Sequence, residues 1–182
     1  KQIEEGENLS LESVAQQLNV SITPVREAFQ ILSRDGLIKL RPNKGAIVLG
    51  ITETYIREHY QLRGILESAC AGIAASPDTD IHKIEQSYLG AKKMIESGDY
   101  SQYANCNREF HSEIWATSGN KKMENMIAEL WNGLSMGSMV TEEEYANISI
   151  KEHKAIYEAI KAHDVQLAQQ KMYEHIMRSC DD

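Results

Sequence analysis

Cysteine is scarce in this 182-residue chain: Cys70, Cys106 and Cys180 are an odd number and form no CxxC pair. That argues against a disulfide framework and for a reducing, cytoplasmic setting, so the three read as plain core or surface thiols. Proline is equally sparse, and beyond residue 49 only Pro77 interrupts the chain, which leaves long stretches free to be helical. No run approaches the roughly 20 apolar residues that span a bilayer, and no charged-then-apolar leader opens the sequence, so no membrane partner is expected. The first residue is Lys1 rather than Met, from which a trimmed N-terminus is expected. Positive charge is also short, the net charge being −8. Taken alone, that speaks against nucleic acid.

The distribution of charge reverses the argument. Residues 1–48 hold six Lys/Arg and six Asp/Glu, so the rest of the chain carries the whole −8. Within 21–48, Arg26, Arg34, Lys39, Arg41 and Lys44 face only Glu27 and Asp35. The length allows two small domains, and the charge boundary is the natural division. We therefore expect a first unit at 1–48, its basic excess lying where a DNA reader would need it, a linker at 49–53 and a helical unit at 54–182.

The first unit carries a recognisable arrangement. Ser10 is a candidate N-cap, and Leu11, Val14, Ala15 and Leu18 give one apolar face of a short helix ended by Asn19. Val20 is expected under the turn. Ser21 caps a second helix with Pro24 in its first turn, and Val25, Ala28, Phe29 and Leu32 give its inner face. Ser21, Thr23, Arg26, Gln30 and Arg34 are left outside. Two short helices with a tight turn form a helix-turn-helix. After the Asp35-Gly36 stop, 37–41 and 46–48 flank Pro42-Asn43-Lys44-Gly45, which reads as a hairpin. A hairpin in that position is a wing, with Arg41 and Lys44 at its tip for phosphates or the minor groove.

From residue 53 the pattern is helical throughout, with helices expected near 53–75, 79–97, 99–118, 120–139, 141–163 and 164–179. Mostly α architecture follows: a winged helix-turn-helix and an antiparallel bundle of about six helices. Three histidines lie on apolar stripes. Asn107, Phe110, His111 and Ile114 share one face; His153, Ile156, Tyr157 and Ile160 share another. Ala168, Met172, His175, Ile176 and Ser179 share a third. Buried imidazoles need partners, which either a shared metal or separate core hydrogen bonds supply. His59, His82 and His163 fall nearer polar or helix-end positions and are expected at the surface.

Residues 21–29 (Ser-Ile-Thr-Pro-Val-Arg-Glu-Ala-Phe), with Leu32, Asp35-Gly36-Leu37-Ile38, Pro42, Gly45 and Val48, resemble the GntR winged-helix signature. Ile22 and Glu12 depart from it, since relatives commonly carry Arg there. The resemblance implies a DNA-binding set of Ser21, Thr23, Arg26, Gln30, Arg41, Lys44 and Gly45, with Arg26 foremost in base readout. It also implies a homodimer on an approximately palindromic double-stranded operator. The second half is similar to the FCD ligand-binding domain of the FadR-like members, through Asn107-x-x-Phe110-His111, Ser118-Gly119-Asn120, His153-x-x-Ile156 and His175, with Arg63-x-x-x-Glu67 before them. This implies a divalent transition metal, Zn or Ni before Fe, Co or Mn, at Asn107, His111, His153 and His175. Asn107 stands where Asp is commoner, a weaker and neutral ligand. The implied effector is a small carboxylate, paired with Arg63 unless Arg63 is spent on Glu67. Two rival readings are a metal-free pocket for a larger ligand such as an acyl-CoA, and a metal-dependent enzyme. For the latter, Glu109 and Glu152 are candidate bases, yet each neighbours a histidine in sequence and so points off its face. The chain is therefore read as a regulator and not as an enzyme.

Overall fold

A computed structural model describes residues 3–42, 44–131 and 141–181. The chain divides into two units, Lys1–Ile56 and Arg57–Asp182. The first contains β1 (Asn8–Leu9), α1 (Leu11–Leu18), α2 (Ile22–Arg34), β2 (Ile38–Arg41) and β3 (Gly45–Val48). Ser10 caps α1 by accepting from the Ser13 amide, and Asn19 ends it in the left-handed region. Gly36, at positive φ, makes the turn from α2 into the hairpin. Ile38 pairs with Val48 and Arg41 with Gly45, both antiparallel.

β1 adds a third strand that the sequence pattern does not reveal, giving the order β1-β3-β2 with Leu9 opposite Ala46. Gly45 permits this closeness. Its φ is +81°, and a Cβ there would lie 1.9 Å from the Leu9 carbonyl oxygen. Ala15, Val25, Phe29, Ile38 and Ala46 form the small core, with Leu9, Leu11, Val14 and Leu32 packed on it. Three apolar expectations fail. Leu18, Val20 and Ala28 are exposed, because so small a unit has too little interior to cover every apolar position.

The helical part comprises α3 (Glu53–Ala74), which crosses the boundary between units, then α4 (His82–Glu96) and α5 (Tyr103–Thr117). It continues with α6 (Lys121–Trp131), α7 (Glu142–Lys161) and α8 (Val165–Asp181). The expected helix over 120–139 is seen as α6, and residues 132–139 lie outside the described residues. α7 opens with a capping box in which Thr141 and Glu144 satisfy each other's amides. α3 meets α8 through Gly64 and Gly72, whose Cβ positions would fall 3.0 Å from the Tyr173 ring and 2.6 Å from the Gln169 amide. The stripes read from the sequence do face inward: Phe110, Ile114, Ile156, Ile160, Met172 and Ile176 are buried. His59 corrects the expectation of exposure. It is buried on α3 with its ring edge-on to Tyr60, at 5.4 Å between centroids. No helix among the described residues is long and apolar enough to cross a membrane.

Candidate metal centre and nucleic-acid interface

The stripes of α5, α7 and α8 bring His111, His153 and His175 together in the interior. Nε2 of His111 lies 3.1 Å from Nε2 of His175 and 3.2 Å from Nε2 of His153. Imidazole nitrogens bound about 2.0–2.1 Å from a zinc-like ion lie about 3.3–3.4 Å apart in a tetrahedron and about 2.9 Å apart in an octahedron. The spacing here falls between those values.

The far side of each ring decides which nitrogen carries the proton. His111 Nδ1 is 2.5 Å from Oε2 of Glu67, which also accepts from the Trp115 indole at 2.8 Å. The other Glu67 oxygen accepts from Arg63 Nε at 2.6 Å. Burial pushes the Glu67 carboxyl up, but His111 and Arg63, with the hydrogen bonds it accepts, outweigh burial and hold it at about 2. Burial takes His111 down to about 4 despite Glu67. At neutral pH the pair is a carboxylate and a neutral imidazole, so Nδ1 must donate and Nε2 presents a lone pair.

His175 repeats the arrangement, with Nδ1 2.7 Å from Oε2 of Glu152. Burial raises the Glu152 carboxyl, but His175 and Arg178 bring it below its ordinary value. With Nδ1 turned to Glu152, Nε2 of His175 points at Nε2 of His111, 3.1 Å away. Carboxylates behind metal-facing histidines are the usual means of fixing tautomer and ring orientation. Burial, then the other two rings, lowers His153 well below its ordinary value, and its ring stacks on Phe110 at 4.2 Å between centroids. The three residues present a nitrogen-only donor set suited to a borderline transition metal.

Asn107 is buried one turn before His111. The Ser149 hydroxyl lies 3.5 Å from Asn107 Oδ1 and 3.4 Å from His153 Nε2, linking the amide to the histidine cluster. A cavity of about 210 Å³ adjoins it, lined by Tyr60, Arg63, Asn107, Trp131, Tyr145 and His175 among others. Arg63 makes the ion pair with Glu67 and still borders this cavity, its guanidinium 4.2 Å from the Trp131 ring centroid. Nε is the one Arg63 nitrogen hydrogen-bonded among the described residues, so the two readings of Arg63 are compatible.

Sequence reasoning anticipated the Arg63–Glu67 pair but missed the bonds of Glu67 to His111 and Trp115 and that of Asn107 to the Tyr145 hydroxyl. Glu152 turns from its neighbour His153, as its position in sequence implied, and reaches His175 on α8, a contact not foreseen. No local signal could have found these contacts, which join residues 23 to 48 positions apart.

In the first unit, Arg26, Gln30, Arg41, Lys44 and Gly45 line one groove between α2 and the wing, together with Glu12. Ser21 and Thr23 lie exposed at the head of α2, outside the lining of that groove. Ser21 makes no side-chain capping bond. Arg41 is steadied by Asn8, whose side-chain oxygen accepts from Nη1 at 2.8 Å.

Comparison with known proteins gives a consistent picture. Residues 58–178 match the FCD domain, and residues 1–48 match the bacterial regulatory proteins of the gntR family. The gluconate operon transcriptional repressor of Bacillus subtilis is 29% identical over 95% of this chain and 74% of its own length. The transcriptional repressor RspR of Escherichia coli is 26% identical over 94% and 77%. Among solved structures, E. coli McbR/YncC superposes with a TM-score of 0.63 at 24% identity, over 97% of this chain and 86% of that one. That last likeness concerns the fold.

Proposed function

The chain belongs to the GntR family of bacterial transcriptional regulators and carries an FCD domain, and from this premise we propose that its helical unit is a metal-assisted sensor of a small carboxylate. One observation carries the reading: carboxylates orient two buried imidazoles so that their Nε2 atoms converge, with a third imidazole closing the set.

His111, His153 and His175 would hold the ion, with Asn107 beside them as a neutral fourth group; Zn or Ni suits the set best, with Fe, Co or Mn also accommodated. A bound ion supplies a Lewis-acidic centre with open positions on which a carboxylate can close. Arg63 offers its remaining guanidinium hydrogens to the same carboxylate across the cavity, while Glu67 holds it in place. A cavity of about 210 Å³ supports a ligand of a few carbons over an acyl-CoA. Glu152 is committed to His175 and Arg178, which supports a sensor over an enzyme.

The first unit would act as the DNA reader in the cytoplasm, with Arg26 and Gln30 toward base edges, Ser21 and Thr23 at the leading end of α2, and Arg41 and Lys44 toward phosphates. Gly45 serves that surface through its backbone. Two copies on an approximately palindromic operator fit the symmetry such readers require. Effector binding then shifts the dimer between states of different operator affinity.

The test is elemental analysis of untagged protein beside the His153→Ala/His175→Ala double variant. Near-stoichiometric transition metal in the parent and none in the variant is expected. Metal in neither, even after addition of Zn or Ni, would overturn the metal reading and leave DNA binding standing.

A further inference from the structure

α2 buries Val25 and Phe29 and turns the opposite side to solvent. Along that side, Ile22 precedes Arg26 by four residues and Arg26 precedes Gln30 by four, so the three stand in one row down the helix. Arg26 and Gln30 line the groove beside Arg41 and Lys44, which gives that row a basic flank. At the leading end of the row, where a groove-inserted helix meets base edges, stands a large aliphatic side chain. Ile22 is 38% exposed. Its neighbours Ser21 and Thr23 are exposed as well, and the small core of the unit is complete without it.

An exposed isoleucine cannot pair with phosphate or with the donors and acceptors of a base. The major groove offers it one apolar feature, the C5-methyl group of thymine. We infer that Ile22 is a specificity-determining residue that reads a thymine methyl in the operator half-site, next to the base pair engaged by Arg26. This rests on the DNA-binding reading above and adds the identity of one base to it. Guanine, cytosine and adenine put no methyl in the major groove, so they leave Ile22 facing polar edges that it cannot satisfy.

The contact can be tested by altering the DNA, which leaves the protein intact. Binding sites are first selected from random double-stranded DNA with the full chain. Each enriched thymine is then replaced by uracil, which removes the methyl and keeps every hydrogen-bonding group. Affinity is measured for the parent and for Ile22→Ala. At one thymine per half-site the parent should lose about fourfold on replacement, the worth of one methyl taken from water. Ile22→Ala should bind thymine and uracil equally at that position. Equal affinity of the parent for both at every position overturns the inference, as does a thymine preference that survives in Ile22→Ala; in either case DNA binding itself stands. Failure to enrich any sequence would overturn the DNA-binding reading and this inference with it.

Discussion

At the residue scale, the centre is set by what stands behind the imidazoles as much as by the imidazoles. Glu67 takes hydrogen bonds from Arg63, His111 and Trp115, joining the α3 arginine to the α5 histidine through one buried carboxylate. Asn107 puts a neutral amide, and not a carboxylate, beside the histidine cluster. A neutral amide oxygen draws a divalent ion less strongly than a carboxylate and leaves its charge uncompensated. Asn107→Asp should therefore tighten metal binding by about tenfold, roughly 1.4 kcal/mol, and weaken retention of an anionic ligand. Competition titration with a chelator, then ligand titration of the loaded protein, reads both effects. Tighter binding of both metal and anion would show that the charge at 107 does not set the balance.

At the element scale, the helices of the second unit were legible because apolar residues recur three and four apart over long stretches, and the same periodicity put three histidines inside. Their ends came out shorter than the pattern at most termini, α4 spanning His82–Glu96 and α5 Tyr103–Thr117. Terminal residues satisfy their amides in turns, and hydrophobic periodicity does not register that. β1 was not legible, since two residues carry no period, and neither was the exposure of Ala28 on an otherwise apolar face. The carboxylate supports were only half in reach: the four-residue step from Arg63 to Glu67 marked their ion pair, while the bonds of Glu67 to His111 and of Glu152 to His175 form only when other helices pack on them. The wing depends on one position. At Gly45 both the positive φ and the Leu9 carbonyl exclude a side chain, so Gly45→Ala should detach β1 from β3 and abolish operator binding. Metal content, which belongs to the other unit, should not change. Parallel DNA-binding and elemental measurements on that variant check this, and intact DNA binding would remove the wing from the reader.

At the scale of the whole molecule, the chain separates into a charge-balanced reader and an acidic helical unit, each with its own core. A ligand that binds only the folded state stabilises the unit that holds it by mass action. Stripping metal with a chelator should lower the melting temperature of the helical unit and leave that of the reader unmoved, which calorimetry with and without added zinc would resolve. A melting temperature indifferent to zinc would count against the histidine cluster as an ion site. The three imidazoles also lie far apart along the chain, His153 being 42 residues beyond His111 and His175 another 22 beyond His153. An ion joining them would close two long loops at once, the topological part that a pair of disulfides plays in secreted proteins, here in a chain whose cysteines are unpaired. A tie of that kind is undone by dilution of the ion. A cell short of the metal would then hold a looser, more readily degraded copy of the regulator, and the amount of regulator would report metal supply before any effector arrived.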